Sequence, residues 1–185
     1  MRFDHILVSD KTTEALNHAC FDQTLSQVQL ALASLPNLDS PEFEKTKSIR
    51  ELLNKNLSPK DGWVRQLLGI DAIPGHLHNQ NYVVDFSCDN DIQSCAERHR
   101  LLLEICFDNR QAVGTNIFKL ETAARNFRDK TRGIAIGVMI CADRKSLKRG
   151  GWDAGVADEE EYQVALSTAY KEYLSSSISL MVLRG

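Results

Sequence analysis

The sequence has no CxxC pair, no internal repeat, no low-complexity tract and no long apolar run. Its five cysteines, Cys20, Cys88, Cys95, Cys106 and Cys141, are odd in number and scattered, so neither a disulfide framework nor a zinc site is expected. The longest uncharged apolar stretch, Gly133 to Ala142, falls well short of the ~20 residues that a membrane-spanning helix needs. The opening MRFDHILVSD carries charges where a secretory leader would need an apolar segment, which points to a cytoplasmic protein with no membrane association. Excess positive charge is also missing: the net charge of −3 argues against indiscriminate binding to nucleic acid.

What is present is the composition of an ordinary globular protein, 43% hydrophobic and 25% charged over 185 residues, and a single domain spanning 1–185 is expected. The charge is unevenly distributed. Between Lys119 and Arg149 there are nine basic residues against three acidic ones, a local +6 that leaves −9 for the rest of the chain. Such asymmetry suits either a face built for a polyanion or a solvated basic helix and loop.

Periodicity gives the elements. Phe3 to Val8 reads as a first strand, and Lys11 to Leu35 as a long helix with Leu25, Val28, Leu32 and Leu35 on one stripe, ended by Pro36. Ser40-Pro41 reads as the opening of a second helix, with Ile49, Leu52, Leu53 and Leu57 sharing a face. Ser58 to Gly62 is turn chemistry, Trp63 to Leu68 a strand, and Tyr82 to Phe86 another. Ser87 to Arg98 reads as a polar excursion. Asn116 to Arg128 is helical, with Ile117, Leu120, Ala124 and Phe127 aligned, and the charge-free run Ile134 to Cys141 suits a central buried strand. Asp143 to Ala157 reads as a mobile loop, Asp158 with Glu161 as a capping box, and Ile178 to Leu183 as a last strand. Helices alternating with strands predict an α/β domain, a mixed β-sheet flanked by helices.

The stretch that needs explaining is His99 to Glu121. Leu101 to Phe107 has the length of a strand, and alternation puts Leu103, Ile105 and Phe107 on one face and Glu104, Cys106 and Asp108 on the other. A carboxylate inside such a run lines a wet cleft, meets a cation or simply faces solvent. Asp85 ends the preceding strand, and pairing of the two strands would bring two hard oxygen ligands together, a combination suited to Mg²⁺. Asp89 and Asp91 are alternative first acids. His76 and His78 have strand-like spacing for a metal, but no third ligand follows at a telling distance. Trp152, between glycines in a basic stretch, could pack on nucleic acid or cover the core.

In order along the chain, Asp85-Phe86, the apolar strand with Glu104, Phe107 and Asn109-Arg110, then Asn116-Ile117-Phe118-Lys119-Leu120-Glu121, then Gly137-Val138-Met139-Ile140 resemble the BglII/BstYI-like type II restriction endonucleases. This family is a branch of the PD-(D/E)xK nucleases, and Lys60-Asp61-Gly62-Trp63 fits its N-terminal half. The resemblance implies a PD-(D/E)xK restriction-endonuclease-like core and Mg²⁺-dependent hydrolysis of phosphodiesters in double-stranded DNA at a short palindromic site, by a homodimer. It implies Asp85 and Glu104 as metal-binding and catalytic acids and the Ile105 carbonyl as a further metal ligand. Cys106 occupies the third catalytic position, where family members carry Lys or Gln. Asn109, Arg110, Lys119, Arg125, Lys145, Lys148 and Arg149 are the expected DNA contacts. The Cys106 departure leaves a catalytically impaired DNA-binding relative as the rival expectation, and a cytoplasmic interaction protein as a second.

Overall fold

The computed structural model describes residues 2–7, 19–68, 83–90 and 97–185. His76, His78, Asp91, Cys95 and the first part of the expected long helix lie outside them. Six strands form one mixed sheet: β1 (Arg2–Leu7), β2 (Trp63–Leu68), β3 (Val83–Asn90), β4 (His99–Ile105), β5 (Ile134–Ala142) and β6 (Ser177–Arg184). Their order is β1-β6-β5-β4-β3-β2, with β4, β5 and β6 parallel to one another and antiparallel partners at either side.

Helices cover both faces, as parallel strands require. On one face lie α1 (Asp22–Ala33) and α2 (Thr46–Asn56), whose Val28, Leu32, Ile49 and Leu53 pack with Leu101, Leu103, Ile105, Ile136, Val138 and Met181 of the sheet. On the other lie α3 (Val113–Thr131) and α5 (Glu159–Val164), whose Ile117, Leu120, Phe127 and Tyr162 pack with Leu102, Cys106, Met139 and Leu180. The alternation expected for β4 therefore holds. Gly137 in β5 lets α3 approach the sheet, because a Cβ there would lie 3.1 Å from Leu120.

Four expectations are corrected. Ser87 to Asn90 continue β3 instead of beginning an excursion, since Ser87, Cys88 and Asp89 pair with Leu102, Leu101 and Arg100. Ser40-Pro41 forms a turn, with the Phe43 amide donating to the Ser40 carbonyl, and the helix starts only at Thr46. The stretch Asp143 to Ala157 is loop only in part: the Asp143 side chain caps α4 (Arg144–Arg149) by accepting from the Ser146 amide at 2.6 Å. Trp152 then stacks on Phe107 with ring centroids 4.8 Å apart and meets Phe43 edge-on, so it covers the core. Cys88, Cys106 and Cys141 are free thiols, but Cys20 is disulfide-bonded, which the odd count and scatter did not suggest. The Asp158–Glu161 capping box is present as read.

Candidate active site

The β3–β4 ladder runs from Asn90↔His99 to Phe86↔Leu103 and stops. One residue further on, the two strands exchange side chains for backbone partners. The Asp85 amide donates to Glu104 Oε2 at 3.2 Å, and the Ile105 amide donates to Asp85 Oδ2 at 2.9 Å. Both carboxylates are thereby fixed at a fork in the sheet. On the other side of β3, Gln66 of β2 stands at φ 53° between the pairs Arg65↔Phe86 and Leu67↔Val84, so the neighbouring strand is also irregular beside Asp85.

Glu104 is 2% exposed and points towards α3, where Lys119 Nζ donates to its Oε1 at 2.5 Å. The solvated-face reading of Glu104 therefore fails, and the cation reading holds. Burial, and secondarily the Asp85 charge, push the Glu104 carboxyl up to about 7, against the pull of Lys119. Arg50 of α2 faces the opposite acid, its guanidinium 3.4 Å from Asp85 Oδ1. Four groups thus converge: two acids from two strands and two cations from helices on opposite faces of the sheet. Arg50 was invisible in the sequence, and Lys119 was read only as a phosphate contact; fifteen positions separate it from Glu104, with no local spacing to link them.

Cys106 is completely buried among the residues packed under α3 and α5, and its Sγ donates to the Glu104 carbonyl at 3.5 Å. Burial pushes its thiol well above the usual range, so it stays neutral. Asp89 pairs with Arg100 through two contacts of 2.5 and 2.6 Å, away from Glu104. The donor set fits a hard divalent cation, because Asp85 and Glu104 are oxygen ligands close enough for one charge to raise the other's carboxyl. No cluster of three His, Cys, Asp or Glu side chains forms among the described residues, so a cation held by Asp85 and Glu104 would need further ligands from water or backbone.

The basic residues divide into two groups. Asn109 caps a turn by accepting from the Gln111 amide, Arg110 pairs with Glu161, and Arg125 pairs with Glu121 at 3.1 Å. Arg144, in the same basic stretch, is held by Asp158 at 2.8 Å. Lys145, Lys148 and Arg149 are exposed on α4, the short helix that follows β5.

No protein-family model matches the chain, and no curated protein matches it. Among solved structures, the chain is similar to the restriction endonuclease BglII complexed with a DNA 16-mer. The TM-score is 0.63 at 17% sequence identity, covering 99% of this chain and 76% of that chain. A mixed sheet with helices on both faces and this neighbour together assign the chain a restriction-endonuclease-like fold.

Proposed function

We propose that the chain is a type II site-specific deoxyribonuclease, hydrolysing phosphodiester bonds of double-stranded DNA at a short palindromic site with Mg²⁺. The observation that carries this reading is the fork in the sheet, where Asp85 and Glu104 are fixed by backbone amides within a restriction-endonuclease-like fold. Asp85, Glu104 and the Ile105 carbonyl would hold the cation. When bound, Mg²⁺ supplies an activated water and neutralises charge on the phosphodiester.

The protein's own contribution is to hold the acids. The Ile105 amide fixes Asp85, the Asp85 amide fixes Glu104, and packing of Leu103 and Ile105 keeps β4 rigid behind them. Lys145, Lys148 and Arg149 would neutralise phosphates from α4, a sequence-independent contact that positions the duplex. Asn109, Arg110 and Arg125 would reach DNA only by leaving or sharing their present partners. Two copies are needed to cut both strands at a fixed place, and a two-fold dimer would read a palindrome.

The complete burial of Cys106 favours one second reading, a DNA-binding relative with weak or no cleavage. Incubation of purified protein with plasmid DNA separates the two. Discrete fragments with Mg²⁺ and none with chelator support the nuclease; retarded but intact plasmid supports the binder.

A further inference from the structure

The residue two after Glu104 cannot bring charge to the cleavage site. Cys106 is a thiol, fully buried and turned into the core under α3 and α5. The carboxylate pair nonetheless has a cation built against it. Lys119 is 14% exposed, its ammonium sits on Glu104 Oε1, and it rises from α3, the helix that joins β4 to β5. An ammonium so deeply placed loses most of its hydration, and one carboxylate oxygen satisfies only one of its three donors. The same side chain lines an open cavity of about 550 Å³ together with Arg110, Thr115, Phe118 and Thr122. Lys119 therefore stands between the acid pair, which its ammonium contacts, and a cavity that its side chain borders but the two acids do not line.

We infer that Lys119 is a catalytic residue of the proposed nuclease, its ammonium donating to a non-bridging oxygen of the scissile phosphate from α3. The inference rests on the nuclease reading. In hydrolysis the water oxygen forms a bond to phosphorus, the bond from phosphorus to the leaving sugar oxygen breaks, that oxygen takes a proton, and the second water proton goes to solvent. Negative charge on the non-bridging oxygens is highest midway, and an ammonium held at that place stabilises it more there than in the ground state. Arg50 is the rival cation, but it is 55% exposed and touches Asp85 only at 3.4 Å, so its charge is largely screened.

The test compares the wild type, Lys119→Gln, Lys119→Met, Lys119→Arg and Arg50→Ala in single-turnover cleavage of plasmid DNA with saturating Mg²⁺. Duplex binding is measured in Ca²⁺ across a salt series. Gln keeps a hydrogen bond to Glu104 and guards against a folding defect in the Met variant. The expected result is a loss of about 10²–10⁴-fold in rate for Gln and Met, partial rescue by Arg, and a smaller loss for Arg50→Ala than for Lys119→Gln. Lys119→Gln should also flatten the slope of log K against log salt by about one unit, which a merely structural lysine would leave alone. Cleavage by Lys119→Gln within about threefold of the wild type, or an unchanged salt slope, overturns the inference and leaves the nuclease reading standing. A wild type that never cuts overturns the nuclease reading, and this inference falls with it.

Discussion

A carboxylate buried beside a second acid is unfavourable in its ionised form, and Glu104 shows this in its carboxyl, raised to about 7 from the ordinary 4.5. Between those values the folded chain holds a proton that the unfolded chain has lost. The contribution of Glu104 to stability is therefore fullest below about 4.5 and is lost as pH rises through about 7. Glu104→Gln keeps the shape without the charge, so in chelator its melting temperature should exceed the wild type's by an amount that grows between about pH 5 and about pH 8, reaching on the order of 5 °C. A gap independent of pH would show that the carboxylate is not strained by its burial. Cys106 yields a prediction of the opposite sign. Its side chain has no exposed surface, so Cys106→Lys forces extra volume and a charge into the core beside Tyr162 and should lower stability by about 2–4 kcal/mol, read from denaturant midpoints. A Cys106→Lys variant as stable as the wild type would mean that this side of β4 opens to water.

At the scale of elements, Glu121 does for α3 what an apolar stripe cannot. It is 3% exposed and accepts from the Ser175 and Ser176 amides and from Arg125, tying the chain entering β6 to the middle of α3. Glu121→Gln leaves a donor facing donors, and we expect a loss of about 1–3 kcal/mol in urea unfolding with no change in cleavage by the folded fraction. An unmoved midpoint would show that water replaces the carboxylate at no cost. The α4 helix tests the basic stretch: Lys145→Ala, Lys148→Ala and Arg149→Ala together should weaken duplex binding for every sequence and flatten its salt slope by up to about three units. An unchanged slope would show that α4 faces away from DNA. The strands and the α3 stripe were legible because apolar runs report burial directly: Ile134 to Cys141, Trp63 to Leu68 and the Ile117–Phe127 stripe all fell where the structure has them. Ser87 to Asn90 was misread because a strand that carries Ser and Asp beside a fork looks like a loop. Trp152 was left between two readings and the Lys119–Glu104 pair was not legible, since each depends on how a helix docks on the sheet and not on any local period.

At the scale of the whole molecule, the apolar stripes of the helices are used internally. Tyr162 and Leu166 pack under the sheet, and Leu25, Val28, Leu32 and Leu35 pack on its other side. What remains exposed includes Phe118, Val164 and Tyr173, at 45%, 54% and 69%. If two copies cut a palindrome, sedimentation on a cognate duplex should give two chains per site, and a strict monomer both free and bound would remove the basis for symmetric double-strand cutting. The central claim, that the fork of Asp85 and Glu104 hydrolyses DNA, is tested most directly by plasmid incubation with Mg²⁺ for the wild type and Glu104→Ala side by side. The account predicts discrete linear fragments from the wild type and intact plasmid, still bound, from the variant. Intact plasmid from both, or equal cutting by both, would contradict it.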